Sequence, residues 1–96
     1  MTEQQEKNIR RAIELLKSGK YTQIRGAYTQ KISGKTCYSA VGLMINKISH
    51  SVGIQAFRDA FGLPRGAMAY LIRKNDSGAS FEQIADYLEK FLVGRK

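Results

Sequence analysis

Ninety-six residues carrying 16 Lys and Arg against 8 Asp and Glu, with a formal charge of +8, describe one basic domain (1–96) with a modest core and no room for a separate catalytic domain. Cys37 is the only cysteine, which excludes an internal disulfide and fits a reduced compartment. No apolar run approaches the roughly 20 residues of a membrane span, and the polar start Met1–Glu6 lacks a signal-peptide core, so a soluble, unexported cytoplasmic protein is expected.

Thr2 followed by Gln5 suits a capping box, and Ile9, Ala12, Ile13 and Leu16 recur at helical spacing, which predicts an amphipathic helix over 2–17 closed by Ser18-Gly19. The stretch from Tyr21 to Tyr38 is rich in Thr, Tyr, Ile and Gln, and Ile32-Ser33-Gly34-Lys35-Thr36 reads as the turn of a β-hairpin. From Ser39 the helical period returns with Val41, Met44, Ile45 and Ile48, and Gly42 allows a close packing approach; this is the expected central buried helix. Ile54, Phe57 and Phe61 predict a short helix stopped by Gly62. Pro64 suits the first turn of the next, which carries Ala67, Met68, Leu71 and Ile72 until Asn75-Asp76-Ser77-Gly78 breaks it as a turn. Ser80 with Gln83 repeats the capping box before a last helix with Ile84, Tyr87, Leu88 and Phe91, ending near Gly94. The expected fold is α+β and mainly helical, with about five helices, a short β-hairpin after the first, and no internal repeat or linker.

Charge is distributed unevenly along this pattern. Between Glu14 and Asp59 there is no acidic residue, while Lys17, Lys20, Arg25, Lys31, Lys35, Lys47 and Arg58 fall inside the span. A surface drawn from them has no carboxylate from its own segment and calls for a polyanionic or acidic partner. Tyr21, Tyr28 and Tyr38 lie among them, supplying flat rings beside cations, as a nucleic-acid groove requires. Soluble domains also cover themselves with lysine and keep tyrosine rings in the core; the missing carboxylates favour the functional reading, since ordinary surfaces intersperse both signs.

Three stretches, in order, resemble a family of small, largely uncharacterised proteins from bacteria and their phages. The first is Leu16-Lys17-Ser18-Gly19-Lys20-Tyr21-Thr22-Gln23 with Gly26. The second is Tyr38-Ser39-Ala40-Val41-Gly42-Leu43-Met44, and the third runs from Ile72 to Glu89 with Asn75-Asp76, Gly78, Ser80-Phe81 and Ile84-Ala85-Asp86. Together they span most of the chain; the order of the motifs is the specific feature. Ser39 and Ala40 stand where members often carry paired cysteines, which removes the ligands such a pair would supply, and Cys37 lies two positions from the nearer. The resemblance implies a helix–hairpin–helices architecture and a phage or prophage setting, and no activity or site.

Sites of chemistry are fragmentary. Ser33-Gly34-Lys35-Thr36 has the tail of a phosphate-binding loop, but Thr29 stands where its first glycine belongs. Ser80–Ala85 is similar to the opening of a helix-turn-helix, yet too little chain follows for a reading helix, and Glu82, Asp86 and Glu89 would face DNA phosphates if the last helix read the groove. Those carboxylates share a helix face that is more simply solvated than catalytic. Asp76 to Glu82 lacks calcium-loop spacing, with Ile84 where the bidentate acid belongs, and nothing orients Cys37 with His50 as a nucleophile pair.

The sequence thus predicts a non-enzymatic binding protein without cofactor or metal. Its expected contacts to DNA or RNA are Lys17, Lys20, Arg25, Lys31 and Lys35, with Tyr21 and Tyr28 stacking. The alternative is a phage-encoded, anti-CRISPR-like inhibitor or adaptor that docks on an acidic or nucleic-acid-handling host protein such as a nuclease-based defence complex. Tyr28, Phe57, Arg58 and Arg65 are then the interface anchors, and a homodimer through a helix face is open.

Overall fold

Both predicted capping boxes form. In the computed structural model, which describes residues 1–50 and 53–92, Thr2 Oγ1 accepts from Gln5 N at 3.1 Å while Thr2 N donates to Gln5 Oε1 at 2.7 Å. They open helix α1 (Glu3–Lys17). Ser80 and Gln83 do the same for α5 (Phe81–Glu89). Gln5 also donates through Nε2 to Asp59 O, and Asn8 through Nδ2 to Ala60 O, both at 2.8 Å. The polar side of the first turns of α1 therefore tethers α3 (Ile54–Phe61) as well. Ile9, Ala12, Leu15 and Leu16 are the buried face of α1; Ile13, expected among them, is half-buried at its edge.

The hairpin is shorter than the extended composition suggests. Strand β1 (Thr29–Ile32) pairs antiparallel with β2 (Lys35–Tyr38), in the register Thr29↔Tyr38, Gln30↔Cys37, Lys31↔Thr36 and Ile32↔Lys35. The two-residue connection has Ser33 at φ 52 and Gly34 at φ 79, and this pair of positive values gives a turn whose twist matches the strands. Residues 21–28 are not a strand of the hairpin. They pass beside β2 in the parallel sense, with Ile24 N donating to Tyr38 O and Tyr38 N to Thr22 O, both at 2.9 Å.

Helix α2 (Ala40–Met44) is only five residues long and buried on every side, with Ser39 Oγ capping it through Gly42 N at 3.0 Å. It widens into a π-helical turn, Ile45–Ser49, that ends with His50 in the left-handed conformation at φ 60. The prediction of a close approach at Gly42 is met: a Cβ there would overlap the Tyr28 carbonyl oxygen.

Helix α4 (Ala67–Asp76) begins later and ends later than the sequence suggests. Pro64 lies in the preceding turn, where its carbonyl accepts from Ala67 N at 3.1 Å, and Gly66 occupies the cap position. Asn75 and Asp76 continue the helix; only Ser77 and Gly78 turn away. The predicted boundary at Gly94 lies outside the described residues, and the helical hydrogen bonding of α5 ends in turns at Lys90–Leu92. Helix α2 packs against α1 and α4, which also hold α3 and α5, and the core includes Phe57 and Phe61 with ring centroids 4.9 Å apart. The described residues thus form an α+β, mainly helical globule with five α-helices and one two-stranded antiparallel hairpin.

Candidate nucleic-acid interface

Asn75 decides how the basic segment is held. It is 0% exposed, and its Oδ1 accepts from Gln23 Nε2 at 2.7 Å and from Ala40 N at 3.1 Å. Its Nδ2 donates to Ile24 O at 2.8 Å and to Asp76 Oδ1 at 3.3 Å. One amide thereby joins the loop after α1, the start of α2 and the end of α4, with both of its polar atoms satisfied. Gln23 Nε2 bonds Ala79 O at 2.8 Å, and Asp76 Oδ1 accepts from Gly26 N at 2.8 Å, so residues 23–26 are pinned along one line. In a single sequence, Asn75-Asp76-Ser77-Gly78 carries the composition of a turn, and nothing marks Asn75 as a core residue.

Beyond that anchor the chain is exposed without interruption from Arg25 to Lys35. The cations in it do not converge on one face, as a stripe would require. Strand pleating puts Lys31 with Thr36 on one side of the hairpin and Lys35 with Ile32 on the other. Arg25 lies at the hairpin base, 3.4 Å from the Ala79 carbonyl, and Lys20 is exposed on the loop leading from α1. No ion pair among the described residues engages Lys20, Arg25, Lys31 or Lys35.

Lys17 is the exception among the expected contacts, because its ammonium is paired within the fold. Its Nζ lies 2.6 Å from Glu89 Oε1 and 3.7 Å from Asp86 Oδ1, carboxylates supplied by α5. The hydrogen bond to Glu89 is the main cause holding the ammonium above its ordinary pKa, against a smaller opposing effect of desolvation. A lysine so paired is not a free phosphate contact, and the shared acidic face of α5 has a structural occupant.

The tyrosines also separate. Tyr21 is half-buried, with its ring edge-on to Tyr38 at 5.6 Å and 87°, and the Lys47 ammonium sits 5.7 Å from both ring centroids. That cluster absorbs Tyr21 as a packing residue. Tyr28 is 40% exposed, while its carbonyl is fixed by Ser39 N at 2.9 Å and Ser39 Oγ at 3.3 Å. Its backbone is clamped and its ring is accessible, which are the requirements of a stacking platform.

Of the expected protein-docking anchors, Phe57 is a core ring at 0% exposure and cannot meet a partner. Its apolar helical spacing was core patterning. Arg58 and Arg65 instead line a cavity of about 300 Å³ with Tyr28, Ile54, Met68 and Ile72. Cys37 is buried with its thiol donating to Lys35 O at 3.8 Å, and no cluster of three or more His, Cys, Asp or Glu suited to a metal occurs among the described residues. No described helix is long and apolar enough to cross a membrane. Comparison with protein-family models, with curated proteins and with solved structures yields no match.

Proposed function

We propose that this chain is a non-enzymatic nucleic-acid-binding protein whose exposed hairpin and adjoining loop contact phosphates through Lys20, Arg25, Lys31 and Lys35, with Tyr28 as the stacking ring. The observation that carries the reading is that no ion pair among the described residues engages those four cations, three of which lie on the uninterrupted exposed segment from Arg25 to Lys35, with lysines on both faces of a two-stranded ribbon. A two-stranded ribbon is narrow enough for the major groove of B-DNA, and cations on both faces suit a groove walled by phosphates on both sides. The hairpin offers no fixed constellation for reading base edges, so binding is sequence-tolerant. A phage or prophage setting and action in the bacterial cytoplasm belong to the same proposal; the order of the three motifs supports them.

Titration of duplex and single-stranded DNA and RNA against salt tests the reading. Four released counterions correspond to a log–log salt slope of roughly −3.6 on duplex and −2.8 on single strands. No association at ~50 mM salt, where screening is weak, would refute it.

A second reading is favoured by a specific observation: the cavity beside Tyr28 is walled by apolar side chains and rimmed by arginines, as a protein-docking site would be. On that reading the chain is an inhibitor or adaptor that docks on a host protein such as a nuclease-based defence complex. Affinity capture from nuclease-treated host lysate separates the two. A stoichiometric protein that survives nuclease and moderate salt favours docking, and loss of every partner favours nucleic acid.

A further inference from the structure

Helix α3 carries Ile54 and Arg58 one turn apart, so the two side chains lie on one helix face. Both line the cavity of about 300 Å³ that opens between that face, α4 and the Tyr28 ring. Its walls include Met68 and Ile72, and Ile54 stands 68% exposed beside it. The charged groups lining it are the guanidiniums of Arg58 and Arg65, and no carboxylate lines it. The Nε–H of Arg58 is buried and finds no acceptor among the described residues. That donor is sealed from solvent, so the pull of this cavity on an anion comes from its two guanidinium charges with no carboxylate among the described lining residues.

We propose that this cavity receives one large apolar side chain of a partner protein, with a neighbouring carboxylate of the same segment bound by Arg58 and Arg65. The proposal deepens the second reading and rests on it; the phosphate contacts of the hairpin play no part in it, and Tyr28 is the residue shared with the first reading. An unstacked nucleobase is the poorer occupant. Arg58 and Arg65 could donate to its acceptors, but its exocyclic donors would meet Ile54, Met68 and Ile72 with no carboxylate among the described lining residues to accept from them, whereas a Leu, Met or Phe side chain brings no polar atom to satisfy. A carboxylate matches the planar fork of arginine with two parallel hydrogen bonds, and the net charge of +8 draws an acidic segment toward the surface.

The test is a methyl-detected NMR titration of the full chain with acetyl-Asp-Phe-Asp-amide, with acetyl-Lys-Phe-Lys-amide and with a short oligothymidylate. The acidic peptide is expected to shift the methyl signals of Ile54, Met68 and Ile72 with an affinity near ~1 mM, the level a single anchor supports. Arg58→Met, which keeps the apolar stem and removes the charge, should weaken it at least about tenfold. Ala69→Leu, a strong helix former at an exposed cavity-lining position, should fill the entrance and abolish the shifts while leaving the melting temperature unchanged, and it decides the matter if Arg58→Met fails to fold. Absence of methyl shifts with the acidic peptide, equal shifts with the basic peptide, or shifts of the same methyls by oligothymidylate would each overturn the proposal. A captured host protein whose binding is unaffected by Arg58→Met and Ala69→Leu would leave the docking reading standing and exclude this cavity as its site.

Discussion

Replacing Gly42 by alanine should destabilise the fold even though alanine is the better helix former. Gly42 lies inside α2, where the exchange by itself favours the helix by about 0.8–1 kcal/mol. Against this, the new methyl would occupy the position of the Tyr28 carbonyl oxygen, with the carbonyl carbon and Cα of Tyr28 directly behind it. These are backbone atoms, so the clash cannot be relieved by a side-chain rotation. Overpacking of this kind costs about 1–3 kcal/mol. Displacing the carbonyl also strains its bonds from Ser39 N and Ser39 Oγ, and loss of one is worth about 1 kcal/mol. The net expectation is a loss of about 2 kcal/mol, which for a domain of this size lowers the melting temperature by roughly 8–16 °C. Circular dichroism in thermal and urea unfolding measures it. Gly53→Ser is the control, because a Cβ there meets no atom within 4 Å and serine is the better N-cap for α3. If Gly42→Ala proves as stable as the parent chain, the Tyr28 backbone does not lie against α2 as described and the clamp on that backbone is refuted.

Asn75→Ala should cost about 3–5 kcal/mol, since it leaves the buried Ala40 N–H and Ile24 C=O without partners, and hydrogen exchange should show lost protection at Ala40 together with the drop in urea midpoint. Ser33→Gly should stabilise the chain by a few tenths to about 1 kcal/mol, because a serine at φ 52 carries a cost that glycine avoids; an unchanged or lower midpoint in urea would contradict the turn geometry. Lys17 has a folded pKa raised above 10.5, so its pair with Glu89 and Asp86 contributes fully below 10.5 and is lost as pH rises through the higher folded value. Melting curves between neutral and strongly alkaline pH should therefore show a decline above that point which Lys17→Met flattens. In oligonucleotide titrations Lys35→Met should reduce the salt slope by roughly 0.9 on duplex DNA, while Lys17→Met, already paired, should leave it unchanged; equal effects would show that the ion pair opens on binding.

Local rules account for what was legible along the chain. The capping boxes at Thr2 and Ser80 rest on bonds spanning three residues, and the turn at Ser33-Gly34 on the φ values of two, so composition suffices to place them. The apolar stripes of α1 and α5 were readable because a buried face must recur with the helical period. The aromatic and arginine composition of interfaces suggests Phe57 as an anchor, whereas its helical spacing with Phe61 already fits a core face, and both rings are buried. The absence of acidic residues between Glu14 and Asp59 is likewise a fact of the sequence, but its consequence depended on packing. Glu89, 72 residues beyond Lys17, comes to neutralise it because α5 lies against α1, whereas among the described residues no carboxylate forms an ion pair with Lys31 or Lys35 on the hairpin. The division of Lys31 and Lys35 between two faces follows from a register that one residue of slip would reverse. Asn75 is the clearest case of what only tertiary structure decided. An asparagine followed by Asp-Ser-Gly has every local reason to turn, and it stays helical and buried because Gln23, Ile24 and Ala40, distant in sequence, satisfy its amide more completely than a turn would.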